Sequence, residues 1–197
     1  MDDPTTTGAP PPPLDPEPDP HRDLPLVFEI GHGRTYAFDA VFRADHRAIV
    51  ALVWALSGSR AVAEEITQEA FLKAHVRWDR IGRYDNPGAW VRRVAINLAT
   101  SNRRRGQAEE RALGRIGGVS EAADRTADVV GADRFWSAVR TLPERQQAVV
   151  ALHYLEDRSV VDVAEVLGIA EGTVKAHLHK ARAALAARLV IDPEDAR

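Results

Sequence analysis

The sequence contains no cysteine. That excludes a disulfide framework and a thiolate metal site, and it fits a reducing compartment, so a cytoplasmic protein is expected. No apolar run approaches the length of a membrane span, and the first residues are acidic and proline-rich, unlike a signal peptide. Catalytic signatures are missing too: there is no H-E-x-x-H pair, no Gly-rich phosphate loop and no nucleophile elbow. His177 and His179 are one residue apart, which on a helix turns them about 200° from each other, poor geometry for one metal ion. Neither a catalytic residue, a metal nor a cofactor is expected, and the chain reads as a non-enzyme. An excess of positive charge is lacking as well, since the net charge is −3. The average conceals a split. Residues 76–105 hold eight Arg against two Asp, a net +6, which leaves −9 for the remainder. Charge segregated in this way keeps nucleic acid open as a partner.

What the chain does have is helical periodicity, most tellingly over residues 159–185. Ser159 and Asp162 form the S-x-x-D start of a capping box, after which Val160, Val163, Ala164 and Leu167 repeat at helical spacing. Gly168 suits the left-handed position that ends a helix. A second helix follows, burying Val174, Leu178, Ala181 and Leu185 and turning Thr173, Lys175, His177, His179 and Lys180 outward. An apolar stripe opposite a basic and polar face is the pattern of a helix-turn-helix that enters a DNA major groove. The plainer alternative is a helical hairpin whose charged face is merely wet.

Towards the N-terminus, residues 1–25 hold nine of the twelve prolines with six acidic residues, and no core could form there. Residues 26–36 are short and ambiguous, broken by Gly31 and Gly33. Phe38, Val41, Phe42, Ile49, Leu52, Val53 and Leu56 mark one face of a helix closed by Ser57-Gly58-Ser59. The next helix has an inward stripe of Ala63, Ile66, Ala70 and Ala74. It also has an outward one of Glu65, Gln68, Glu69 and Leu72, where a leucine among carboxylates marks a docking face for a basic partner helix, if it is not simply solvated. After a loop from Arg80, Asn86-Pro87 starts a third helix with Val91, Val94, Ala95 and Leu98 inward and Arg93, Asn97, Thr100 and Arg104 opposite, ending in Arg103-Arg104-Arg105. Trp78, Tyr84 and Trp90 bracket the loop. Basic side chains with interleaved aromatics suit single-stranded nucleic acid; the tryptophans can equally be core residues.

Three segments together carry a family resemblance. Residues 142–185, opening Leu-Pro-Glu-Arg and containing Gly-Ile-Ala-Glu-Gly-Thr-Val-Lys, resemble domain 4 of bacterial sigma factors of the extracytoplasmic-function group. Residues 63–75, AEEITQEAFLKAH, resemble the polymerase-docking helix of sigma domain 2, and PGAWVRRVAINLATSNRRR resembles the −10 recognition helix that follows it. Departures from the family pattern are Glu65 for Asp, His75 for Trp, His177 for a common Arg, and Ala170 for a capping Ser, the last costing about 1 kcal/mol of helix support. The resemblance implies an all-α protein of two small helical domains joined by a flexible linker. Its divisions would be a disordered extension over 1–36, domain 2 over 37–105, linker 106–131, domain 4 over 132–189 and a tail over 190–197.

It further implies a sigma factor that binds core RNA polymerase, chiefly the clamp helices of the largest subunit, through Glu65, Gln68, Glu69 and Leu72. Duplex −35 DNA would meet Thr173, Lys175, Ala176, His177 and Lys180. Melted −10 DNA would meet Arg80, Tyr84, Trp90, Arg93, Asn97, Thr100, Arg103 and Arg104, the last two mostly through phosphate. An anti-sigma protein is a usual partner in the resembled group. The alternative is a stand-alone helix-turn-helix regulator, although no self-complementary apolar face for a dimer is evident.

Overall fold

A computed structural model describes residues 27–30, 33–114 and 130–189. It begins with a hairpin of β1 (Val27–Ile30) and β2 (Gly33–Tyr36), antiparallel with Val27 opposite Tyr36 and Ile30 opposite Gly33. This corrects the expectation of disorder through residue 36. Gly33 opens β2 rather than breaking an element, and both strands are runs of β-branched and aromatic residues, a hairpin signature; Gly31 lies outside the described residues. The Pro-rich stretch over 1–25 lies outside the described residues, as does the tail over 190–197.

Helix α1 (Phe38–Ser57) ends at Gly58, whose φ of 75° lets its N–H reach the Trp54 carbonyl. The side chain of Ser59 then accepts from the Val62 N–H and caps α2 (Arg60–His75). The anticipated stripes are buried: Ile49, Leu52, Val53 and Leu56 on α1, and Ala63, Ile66, Ala70 and Ala74 on α2, joined by Phe71. The exceptions are Phe38, which is half-buried, and Phe42, which lies at the exposed rim, where its ring meets those of Phe71 and His46. A single helical turn, α3 (Trp78–Ile81), interrupts the expected loop. Asn86 then accepts from the Ala89 N–H at 3.0 Å and launches α4 (Pro87–Gly114). Helix α4 does not stop at the arginine triplet. Gln107, Ala108, Glu109 and Glu110 are good helix formers and carry it on through what reads as linker.

The second unit comprises α5 (Val130–Arg140), α6 (Glu144–Val150), α7 (Val160–Leu167) and α8 (Glu171–Arg188). Helix α6 runs into one π-helical turn, Ala151–Leu155. Residues 115–129, the rest of the expected linker, lie outside the described residues.

The two units are not separate bodies on a tether. One continuous core runs from Ile49, Leu52 and Val53 through Ile96 and Ala99 to Ala148, Val149, Leu152, Val163 and Val174. A smaller cluster of Val139, Leu142, Val150, Ala181 and Leu185 seals α5 onto α6 and α8. The flexible tether expected from composition therefore connects units that are packed together in this structure. The apolar surface of α1 and α4 has to be covered by something, and here α5 and the π-helical turn lie on α1 while α7 lies on α4.

Candidate nucleic-acid interface

The helix-turn-helix is built as its sequence dictates. Ser159 and Asp162 exchange the reciprocal bonds of a capping box, and the Ser159 hydroxyl and N–H hold the Asp162 carboxyl below its ordinary pKa. Gly168, at φ 65°, turns the chain between the helices and donates to the Ala164 carbonyl. Ala170 has the extended backbone of an N-cap but offers α8 no side-chain bond. All four expected core residues of α8, Val174, Leu178, Ala181 and Leu185, are buried. Thr173, Lys175, Ala176 and Lys180 are exposed on the face opposite, while His177 is half-buried with its Nδ1 turned in and unpartnered among the described residues.

On α4, Arg93, Asn97 and Arg104 are exposed and Thr100 half-buried, all on one long face. The neighbouring loop presents Arg80 with its guanidinium 5.9 Å from the centre of the Tyr84 ring. Trp90, Trp78 and Tyr84 pack their inner edges on the core, so each is partly structural.

Three of the expected strand-binding arginines are occupied by the second unit. Arg93 donates from Nε to the Val166 carbonyl at 2.6 Å and from Nη2 to that of Glu165 at 2.5 Å. These carbonyls end α7, where the helix dipole is negative, so they offer the guanidinium what a phosphate would. Arg103 and Arg104 both pair with Glu144, of the Leu-Pro-Glu-Arg opening, and Arg104's hydrogen bond lowers the pKa of that carboxyl.

Arg92, one residue from Arg93, was not foreseen. It is 4% exposed and donates to Asp45 of α1 at 2.9 Å and to Glu156 of the second unit at 2.7 Å. Burial works against its charge, yet the two carboxylates outweigh it and raise its pKa. Glu156 is also bound by Arg158 at 2.6 Å, so the seam carries a four-member ion cluster. No sequence spacing signals it, because the partners lie 47 and 64 residues away.

On α2, Glu65, Gln68, Glu69 and Leu72 are all exposed and share the expected face. Leu72 is 63% exposed, and Val76, 71% exposed, extends the apolar ridge by one turn beyond what the periodicity indicated. Glu69 is steadied by Lys73 at 3.0 Å.

Comparison with known proteins turns this geometry into an identity. Residues 41–109 match the family described as Sigma-70 region 2, and residues 132–185 match Sigma-70, region 4. The ECF RNA polymerase sigma factor SigM of Mycobacterium tuberculosis H37Rv is 37% identical over 165 residues, covering 83% of both chains. The chain belongs to the ECF RNA polymerase sigma factors. It is thus a promoter-recognising transcription initiation factor, and the stand-alone regulator is not favoured, because both regions are present in order. The RNA polymerase sigma-E factor of Streptomyces avermitilis is 29% identical over 170 residues, 85% of this sigma factor and 93% of the relative. Among solved structures, the sigma factor RpoE in complex with the anti-sigma factor NepR from Bartonella quintana has a TM-score of 0.62 at 24% identity, over 79% of this sigma factor and 98% of that chain. That likeness shows the all-α fold. Among the described residues, no helix is long and apolar enough to cross a membrane.

Proposed function

We propose a division of labour among three surfaces of this sigma factor. The α2 ridge of Glu65, Gln68, Glu69 and Leu72, lengthened by Val76, docks the clamp helices of the polymerase's largest subunit. The outward face of α8, Thr173, Lys175, Ala176, His177 and Lys180, reads duplex −35 DNA in the major groove. The Arg80–Tyr84 loop, Trp90 and the α4 face of Arg93, Asn97 and Thr100 hold the melted −10 strand, with Arg103 and Arg104 on phosphate. The boundaries 37–105 and 132–189 are retained for domains 2 and 4. Polymerase supplies all the chemistry; the sigma factor carries out no reaction of its own and works in the cytoplasm.

The observation that carries this reading is the state of the basic residues. Those on α8 face solvent, whereas Arg93, Arg103 and Arg104 are held by backbone and carboxylate oxygens of domain 4. The seam is therefore a closed form in which domain 4 stands where the −10 strand would bind, and polymerase must part the domains before the promoter is read. Closure also offers a mode of control: an anti-sigma protein, such as the NepR bound to RpoE in the similar solved structure, would act by holding the domains off polymerase.

The test is in vitro transcription with purified core polymerase on a promoter library, with and without the sigma factor. Defined start sites are expected only with it. Lys175→Ala should alter −35 preference and Asn97→Ala −10 preference. Failure to direct initiation at any defined site, or a promoter-specific gel shift by the sigma factor alone, would overturn the reading.

A further inference from the structure

Tyr36, two residues ahead of the first helix, holds the loop that sits beside α4. The backbone N–H of Tyr36 donates to the Gly82 carbonyl at 2.8 Å, and the Trp78 indole N–H donates to the Tyr36 carbonyl at 2.8 Å. The Tyr36 hydroxyl reaches forward to the Asp85 carbonyl at 3.2 Å. One residue thus grips the loop at its entry and near its exit, with Arg83 and Tyr84 between the two points. The fit at the entry is close: a Cβ on Gly82 would lie 2.9 Å from the Trp78 Nε1 and 3.0 Å from its carbonyl oxygen. Tyr36 is itself the last residue of β2, paired with Val27, so the hairpin stiffens the grip. It lies ahead of the segment matched to Sigma-70 region 2, which begins at residue 41.

We propose that Tyr36 is a specificity-positioning residue for −10 recognition: by tying Gly82 and Asp85 it sets the shape that the loop offers to an unstacked base. The inference rests on the −10 assignment made above. Tyr36 contacts loop backbone from behind and needs no contact with DNA. A loop of this kind, carrying Arg80, Arg83 and Tyr84 at its surface, samples several shapes when its ends are released, and each shape admits a different base. Losing the clamp should therefore blur base preference before it weakens binding in general.

The experiment measures initiation by polymerase saturated with the full-length sigma factor on two promoter sets, one varied only in the −10 element and one only in the −35 element. Tyr36→Ala should lower discrimination among −10 variants about fivefold, the scale of one hydrogen bond, while changing −35 discrimination and core pull-down less than about twofold. Tyr36→Phe keeps the ring and both backbone bonds, and should show a smaller loss confined to the −10 set; it carries the test if the alanine variant folds poorly. Trp78→Phe, which removes the donor to the Tyr36 carbonyl, should shift the same −10 profile. Equal losses in both promoter sets, or an unchanged −10 profile with Tyr36→Phe and Trp78→Phe, would overturn the proposal. Asn97→Ala and Arg80→Ala run in parallel separate the two levels. If they alter −10 preference and the Tyr36 and Trp78 variants do not, the clamp alone is wrong; if they leave it intact, the −10 assignment fails and the clamp falls with it.

Discussion

Gly168 performs two tasks that a larger residue could not share. Its φ of 65° is left-handed, and a Cβ there would sit 3.0 Å from the Arg93 guanidinium that crosses to Val166 and Glu165. Gly168→Ala should cost about 1–2 kcal/mol from backbone strain alone, with more from displacing Arg93. Chemical denaturation checks this, and the excess should vanish in an Arg93→Ala background, because a double-mutant cycle isolates the shared contact. Two residues on, Ala170 invites the opposite change. Its backbone is already that of an N-cap, so Ala170→Ser should stabilise α8 by about 1 kcal/mol. An unchanged denaturation midpoint would mean the first-turn N–H groups are satisfied in another way. The departure from the family pattern at this position was legible in the sequence, and the absence of a side-chain cap followed from it directly.

Among the elements, α2 and α8 were the most legible. Apolar residues at steps of three and four leave little choice about which side faces in, and their faces fall as the spacing required except at His177, which is half-buried. The outward face of α2 carries a prediction that needs no change in the core. Glu69→Arg with Leu72→Ala should abolish recovery of core polymerase in a pull-down while leaving the helical circular dichroism and melting temperature unchanged. Undiminished recovery would remove the docking assignment. Helix α4 was half legible. Its start is written in Asn86-Pro87, but its run to Gly114 was masked because Arg103-Arg104-Arg105 looks like an ending. Arg92 reads as one more surface charge in an arginine pair, and only the fold brings Asp45 and Glu156 to it. The hairpin was missed because two glycines close together look like breakers until strands form on either side.

For the molecule as a whole, the seam between the domains was illegible, since nothing in local spacing says that α7 will lie across α4. It is held by buried apolar surface and by carboxylates from domain 4, chiefly Glu144 and Glu156. Glu156→Gln together with Glu144→Arg should loosen it. With dyes on Ala61→Cys and Ala187→Cys, both exposed positions in a chain free of other cysteines, the variant should show lower energy transfer than the parent; equal transfer would mean the apolar contacts alone keep the domains together. Acid should act in the same direction. Arg104 depresses the Glu144 pKa from its ordinary 4.5, so this contribution to closure is complete above that pH. It is lost as pH falls through the depressed value, and energy transfer should fall there too. Added salt should weaken the exposed Arg104 pair at neutral pH, leaving the buried Arg92 cluster for last.

That buried guanidinium has two carboxylates, and they belong to different domains. If domain 4 swings away, Glu156 departs with it while Asp45, on α1, stays where it is. The cation therefore never faces a dry interior alone, and the penalty that makes half-broken buried ion pairs so unfavourable is avoided along the way. A hinge so furnished can alternate between shut and parted without passing through a state that either form would resist.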